Sequence, residues 1–227
     1  CGCSPDVGAF LPYSPLHHRL IRELGPLIVT SANRSSDPIS WRIEQAAALS
    51  IPLLDHDRAI ETPLDDSVAR ISAGAPLLIR RSRGYVPLPI LLQGTFIKRD
   101  ILAMGGDLKA CFALAGEDRV YPSQYFGDME NPAVQELFIQ TIRRMEELLG
   151  IRPEVVVTDL HPGYETGALA RRLFGDREIL SFQHHHAHVA SVMAEYGLKS
   201  CIGVAYDGTG YGKDGTIWGG EFLFCRG

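Results

Sequence analysis

Apolar and polar positions follow two rhythms along the 227-residue chain. Continuous apolar runs bounded by turn formers predict strands, and a period near 3.6 predicts helices. Residues 7–11 form a short apolar run ended by Pro12 and predict a strand. Ser14 is placed to cap a helix over 16–24, with Pro15 at its first turn, where a missing N–H costs nothing. Gly25-Pro26 stops it. Pro26-Leu27-Ile28-Val29-Thr30 predicts a strand buried on both faces. It runs into Ser31-Ala32-Asn33-Arg34-Ser35-Ser36, a polar loop of turn formers. Residues 43–49 predict a short helix and 52–54 a strand. Residues 76–85 predict a strand ending in Arg80, Arg81 and Arg83. Alternation along it places Arg81 and Arg83 on one face and Arg80 on the other.

After Pro87-Leu88-Pro89 and a linker at Leu92-Gln93-Gly94-Thr95 the pattern restarts. We place a domain boundary near 90–98, separating 1–92 from 98–227. A strand over 101–104, a tight turn through Gly105, Gly106, Asp107 and Lys109, and a returning strand over 110–115 read as a hairpin. A polar loop covers 121–132. Residues 133–149 form an amphipathic helix, with Val134, Leu137, Phe138, Ile142, Met145, Leu148 and Leu149 at helical spacing and Gly150 as its stop. A buried strand (153–160), a helix (164–174), a strand (178–182), a helix (187–196) and a strand (201–207) follow. A last strand over 217–224 hairpins on its predecessor. This order predicts an α/β fold.

Composition narrows the classes. With 45% apolar and 22% charged residues the chain can bury a core. A net charge of -5 with no basic block argues against a nucleic-acid partner. No apolar run approaches the roughly 20 residues of a membrane span, and no signal peptide opens the chain. Scattered cysteines fit a reducing, cytoplasmic setting. Cys1 and Cys3 are separated by one residue, short of the spacing of a zinc knuckle. The chain lacks an initial Met and stops after a strand, so it is expected to belong to something longer.

Candidate chemistry gathers at Gln183-His184-His185-His186-Ala187-His188, with Asp207-Gly208-Thr209-Gly210 nineteen residues on. Residues four apart share a helix face, so His184 and His188 can aim at one point. Asp207 can add an oxygen from a neighbouring strand. Imidazole and carboxylate suit zinc or iron; a solvated histidine cluster is the plainer alternative. His185 and His186 would line the site or support it. The loop at Ser31 and Asn33 follows an apolar strand, where α/β folds place ligands; it could equally be a cap and turn. Arginine forks at Arg80 and Arg83 suit phosphate, or a solvated strand end. Asp65 and Asp66 could hold a metal or simply form a turn. The glycine turn at Gly105-Gly106, with Lys109 beside it, could receive an anion, though such turns are common without one.

Several longer motifs resemble HypF, the carbamoyltransferase family of nickel–iron hydrogenase maturation. They are Ile101-Leu-Ala-Met-Gly-Gly-Asp-Leu-Lys109, Ser123-Gln124 to Gly127-Asp128-Met-Glu-Asn131, Asp159-Leu-His-Pro162, Gln183-His-His-His-Ala-His188, Tyr206-Asp-Gly-Thr-Gly-Tyr-Gly212 and Trp218-Gly-Gly-Glu221. Upstream, Leu11-Pro-Tyr-Ser-Pro-Leu-His-His18, Thr30-Ser-Ala-Asn-Arg34, Asp65-Asp-Ser-Val68 and Arg80-Arg-Ser-Arg-Gly-Tyr-Val-Pro87 agree, apart from Ser36 where the motif often carries glycine. The resemblance implies the end of a YrdC-like α/β domain followed by the first lobe of an actin/hexokinase-like, TsaD-like domain. It implies that ATP, carried with magnesium, and carbamoyl phosphate yield a carbamoyl-adenylate. The carbamoyl group then passes to the C-terminal cysteine of HypE, for cyanide ligand synthesis. Ser31, Asn33, Arg80 and Arg83 would contact nucleotide or acyl-phosphate; His184, His188 and Asp207 would ligate the metal. A further aspartate ligand and the rest of the second lobe would follow Gly227. Acylphosphatase and zinc-finger regions would precede Cys1, and this stretch alone would be inactive. Proteins of tRNA threonylcarbamoyladenosine synthesis, built from the same two modules, and a non-catalytic metal-binding scaffold are the competing readings.

Overall fold

A computed structural model describes residues 6–33 and 37–226. Cys1, Cys3, Arg34, Ser35 and Ser36 lie outside the described residues. The chain divides into two compact units, 1–32 and 33–227.

The first unit contains helix α1 (Pro15–Leu24). Ser14 Oγ accepts from the His17 N–H at 3.2 Å. Gly25, at φ 75, closes the other end by donating its N–H to the Ile21 carbonyl. The strands expected over 7–11 and 26–30 do not form. Ile28 and Val29 are exposed instead of buried. Apolar character is only half of a strand; the other half is a neighbour that pairs its N–H and C=O groups. No such ladder reaches these runs among the described residues.

The second unit opens with a five-residue helix, α2 (Ile43–Ala47), shorter than expected. The strand expected at 52–54 is absent, and Leu54 is exposed. Strands β1 (Val68–Ser72) and β2 (Ala75–Arg80) form an antiparallel hairpin. The main sheet takes β3 (Ile90–Leu91), β4 (Ile97–Ala103), β5 (Ala113–Glu117), β6 (Arg119–Pro122), β7 (Val155–Asp159) and β8 (Glu178–Phe182), in the order β3-β6-β5-β4-β7-β8. β4, β5 and β6 run antiparallel, whereas β4, β7 and β8 are parallel. Helix α3 (Pro132–Leu149) joins β6 to β7, and α4 (Glu165–Phe174) joins β7 to β8. The architecture is α/β, as expected.

Two boundaries differ from expectation for tertiary reasons. The strand returning from the glycine turn begins at Ala113, because Ala110 is taken up in a bridge to Gly127. The polar loop expected from 121 begins with a strand instead, since β6 pairs with both β3 and β5.

Helix α3 is capped by the Asn131 side chain, which accepts from the Ala133 N–H at 2.9 Å, and ends at left-handed Gly150. Its buried stripe is Val134, Phe138, Ile142 and Met145; Leu148 falls off it and is exposed. These pack on Leu102, Phe112, Leu114, Phe126, Val156 and Leu169. The rings of Phe112, Phe126 and Phe138 meet at 5.0–5.8 Å between centroids, a spacing at which aromatic pairs add about 0.5–1.5 kcal/mol beyond burial. Residues 61–63 are tied to this core: Arg144 donates to Thr62 Oγ1 at 2.9 Å, and buried Gln124 reaches the Pro63 carbonyl at 3.5 Å.

Helix α5 (His184–Tyr196) begins three residues before the expected start. Its cap explains this: the Gln183 side chain accepts from the His186 N–H at 2.9 Å. Strand β9 (Ser200–Ala205) pairs antiparallel with β12 (Glu221–Arg226), the expected hairpin partner. The strand expected over 217–224 is split at Gly219-Gly220, and its first part, β11 (Ile217–Trp218), pairs with β10 (Gly210–Tyr211). No described helix is long and apolar enough to cross a membrane. Because β4, β7 and β8 are parallel, the loop after β4, the loop after β7 and the start of α5 gather at one edge of the sheet, where α/β folds hold ligands.

Candidate metal centre at the strand ends

His184 leads α5 directly off β8, and His188 lies one helical turn on. Asp207 follows the end of β9. Nε2 of His184 lies 2.9 Å from Asp207 Oδ2 and 3.2 Å from Nε2 of His188, which is itself 3.3 Å from Asp207 Oδ2. The three residues offer ligand atoms that all lie within 4.8 Å of one another. Ligands bound at about 2.1 Å to one ion lie about 3.0–3.4 Å apart for octahedral to tetrahedral angles. The observed triangle fits that spacing closely, and its donor set of two imidazoles and a carboxylate suits zinc or iron.

A fourth residue orients this triangle. Asp159 ends β7, and its Oδ2 lies 2.7 Å from Nδ1 of His184. A carboxylate on Nδ1 keeps the proton there and frees the Nε2 lone pair for a metal. The hydrogen bond to Asp159 pushes the His184 imidazole above its ordinary range, against the downward pull of partial burial and with help from Asp207. Burial pushes the Asp159 carboxyl up, but His184 and the His161 N–H outweigh it and leave it below the usual range. Asp207 is also lowered: slight desolvation acts upward, and the Gly208 N–H and His184 outweigh it. Register creates the relationship, since Asp159 pairs with Phe182 in the parallel β7–β8 ladder, two residues before His184. An aspartate closing an apolar run is the sequence signal, within the Asp159-Leu-His-Pro162 motif, but nothing local ties it to the histidines.

The other two histidines behave differently. His185 is fully buried, its Nδ1 3.3 Å from Gln183 Nε2, and Gly210 packs against its ring. His186 is exposed, its ring 6.3 Å from that of Phe182.

The glycine turn after β4 sits at the same edge. Gly105 has φ +71, and a Cβ there would run into the Cys111 carbonyl oxygen, so glycine is required twice over. Asp107 faces protein: its two oxygens accept the N–H groups of Glu165 at 2.8 Å and Thr166 at 3.0 Å, capping α4 from 58 residues away. Thr166 Oγ1 donates to the Gly105 carbonyl. Lys109 is exposed and adopts a positive φ of 51. Gly106 lies against Tyr164, whose ring stacks on His161 at 4.3 Å.

The arginines form a separate knot. Arg80 donates from Nε to the Asp66 carbonyl at 2.9 Å, and its Nη1 lies 3.3 Å from Asp65 Oδ2. Arg83 donates from Nε to Asp66 Oδ1 at 3.2 Å and from Nη2 to the Leu64 carbonyl at 3.0 Å. Arg80 and Arg83 thus converge on one segment rather than facing apart. The strand ends at Arg80, so pleat alternation does not reach Arg83. Asp65 and Asp66 serve as partners of these arginines. Ser31 lies one residue before the end of the first unit; Asn33, in the second, donates from Nδ2 to the Asp37 carbonyl at 2.9 Å.

Comparison with known proteins covers nearly the whole chain. A model of the HypF Kae1-like domain matches residues 97–195, and one of the second subdomain of the carbamoyltransferase Kae1-like domain matches 203–227. The Sua5/YciO/YrdC model, described as telomere recombination, matches 2–82. Carbamoyltransferase HypF of Synechocystis sp. is 42% identical over 97% of the chain and 29% of its own length. A probable carbamoyltransferase HypF of Methanocaldococcus jannaschii is 32% identical over 97% of the chain and 30% of its own. The chain therefore spans about three tenths of the curated relatives it matches. A crystal structure of full-length HypF in its phosphate- and nucleotide-bound form superposes with a TM-score of 0.89 at 42% identity, covering 95% of this chain and 35% of that one. T. kodakarensis HypF gives 0.66 at 45% identity over 71% of this chain and 21% of that one.

Proposed function

This chain belongs to the HypF family, and on that premise we propose that it carries parts of an ATP-dependent carbamoyltransferase of nickel–iron hydrogenase maturation. Carbamoyl phosphate, ATP and water give a carbamoyl-adenylate, pyrophosphate and phosphate. The carbamoyl group then passes to the C-terminal cysteine of HypE, a step toward the cyanide ligands of the hydrogenase, in the cytoplasm.

Residues of the YrdC-like part serve activation. Asn33, Arg80 and Arg83, all in the second unit, contact the magnesium-bound nucleotide or the acyl-phosphate. Two ion pairs and two carbonyl contacts already hold the guanidinium forks of Arg80 and Arg83, so less side-chain entropy is lost when an anion binds. Gly105, Gly106 and Lys109 border the transfer cleft, and Asp107 keeps their loop fixed to α4.

His184, His188 and Asp207 hold a divalent ion, zinc or iron. Such an ion supplies Lewis-acid polarisation of a carbonyl. Asp159 orients His184 throughout. The observation that carries this reading is the convergence of these three ligand atoms, with a carboxylate behind His184, at the strand ends of a HypF-type lobe.

The test is carbamoyl-phosphate-dependent ATP–pyrophosphate exchange in the full-length enzyme, followed by carbamoyl transfer to HypE. Exchange dependent on carbamoyl phosphate is expected. Its absence sinks the proposal.

A further inference from the structure

The loop joining β7 to α4 carries a histidine that the metal cluster does not use. His161 is held by four contacts. Its backbone N–H donates to Asp159 Oδ1 at 2.8 Å. Its ring stacks on Tyr164 at 4.3 Å with planes 27° apart, and meets the Tyr211 ring at 5.5 Å in a T-shaped pair. Its Nδ1 accepts the Gly163 N–H at 3.2 Å.

That last contact fixes the tautomer. A nitrogen that accepts a hydrogen bond carries no proton, so the proton of a neutral imidazole must sit on Nε2. Nε2–H is then a donor with no protein acceptor among the described residues. The backbone of His161 stands one carboxylate away from the metal cluster, because Asp159 takes its N–H on Oδ1 and holds His184 on Oδ2. Tyr211, whose ring crosses that of His161 at 77°, lies four residues beyond Asp207. Tyr164, stacked on His161, is held above its ordinary range, by burial first and then by Asp159, Asp107 and Asp207. A neutral donor already in place there adds to the polarisation a divalent ion would supply as charge develops on oxygen, because its reorganisation costs nothing.

We propose that His161 is a catalytic donor whose Nε2–H holds the carbamoyl carbonyl oxygen as that oxygen gains charge during transfer. The assignment rests on the carbamoyl-transfer reading above. The acceptor thiolate forms the C–S bond, having given its proton to solvent, and the carbonyl π pair moves onto oxygen. The pair returns as the C–O bond to AMP breaks, and AMP leaves with the electrons of that bond. His161 donates a hydrogen bond throughout and transfers no proton.

Two substitutions separate this role from simple packing. His161→Phe keeps a stacking ring and removes the donor. His161→Gln removes the ring and supplies an N–H near the position of Nε2. In the full-length enzyme, His161→Phe should lower kcat for transfer to HypE by about 100-fold, the usual loss of one oxyanion donor. KM for HypE, bound metal and ATP–pyrophosphate exchange should stay at the unsubstituted level. His161→Gln should recover most of the rate with an unshifted pH profile. Full activity in His161→Phe, a Gln variant as impaired as the Phe variant, or parallel loss of metal or exchange would each overturn the role. No exchange in the unsubstituted enzyme overturns the carbamoyl-transfer reading itself, and the role of His161 with it.

Discussion

Asp159 holds the His184 ring with one carboxylate oxygen and the His161 backbone with the other, at 2.7 and 2.8 Å. One side chain at the end of β7 therefore sets both the tautomer of a candidate metal ligand and the course of the next loop. Replacing a carboxylate behind a ligating histidine typically costs about 10–100-fold in metal affinity. Asp159→Ala should show that loss for zinc in competition with a chelator, while circular dichroism shows the fold retained. Unchanged affinity would separate Asp159 from the metal.

Acidity should act on apo and metal-loaded protein in opposite directions. The raised folded-state pKa of His184, caused first by Asp159, means that its protonated form is stabilised by folding. In the apo protein that contribution is fully present below the unfolded value near 6.5 and is lost as pH rises through the folded value. Metal needs the neutral imidazole, so its affinity falls by about tenfold per pH unit wherever one proton is displaced. The rise in Tm on adding zinc should therefore grow between pH 6 and 8. A rise that stays constant across that window would place binding away from His184.

Asp107 reads in the sequence as part of an anion-receiving turn, and its structural position is a helix cap. Loss of a cap costs about 0.5–2 kcal/mol. Asp107→Ala should lower stability in urea by that amount, with an unchanged m-value and unchanged zinc affinity. A neutral effect would mean that water replaces the carboxylate at the Glu165 and Thr166 N–H groups.

Helices and strands differ in how much of their formation is written locally. Helices carry their instructions close by: Ser14-Pro15 and Gly25 bracket α1, and Asn131-Pro132 and Gly150 bracket α3. Strands do not. The apolar runs at 7–11, 26–30 and 52–54 stay unpaired, while the more polar Arg119–Pro122 becomes β6 because two neighbours flank it. The His184–His188 pair is legible because helical spacing is local. Asp159 is not, since its contact with His184 depends on the register of two parallel strands. Likewise, the convergence of Arg80 and Arg83 depends on where β2 stops.

Gly210 shows how closely the ribbon after Asp207 approaches α5. A Cβ there would lie 2.7 Å from Cε1 of fully buried His185. Overpacking of this kind typically costs about 1–3 kcal/mol. Gly210→Ala should lower Tm and also weaken zinc binding, because the Asp207 loop must shift to make room. If Tm falls and zinc affinity holds, that loop and α5 move independently.

The arginine knot predicts a separation of functions within the chain. Asp66→Ala removes one anchor of Arg83 and leaves its 3.0 Å contact to the Leu64 carbonyl. The pair is half-exposed on both sides, so its loss should change stability by only about 0–1 kcal/mol. Its effect should appear where the fork meets an anion. Each side chain freed to rotate adds about 0.5–1.5 kcal/mol to the cost of binding, or roughly a two- to twelvefold rise in KM. That rise should appear for carbamoyl phosphate in ATP–pyrophosphate exchange, with zinc affinity untouched. An equal change in both measurements would mean that the knot supports the whole second unit rather than an activation site.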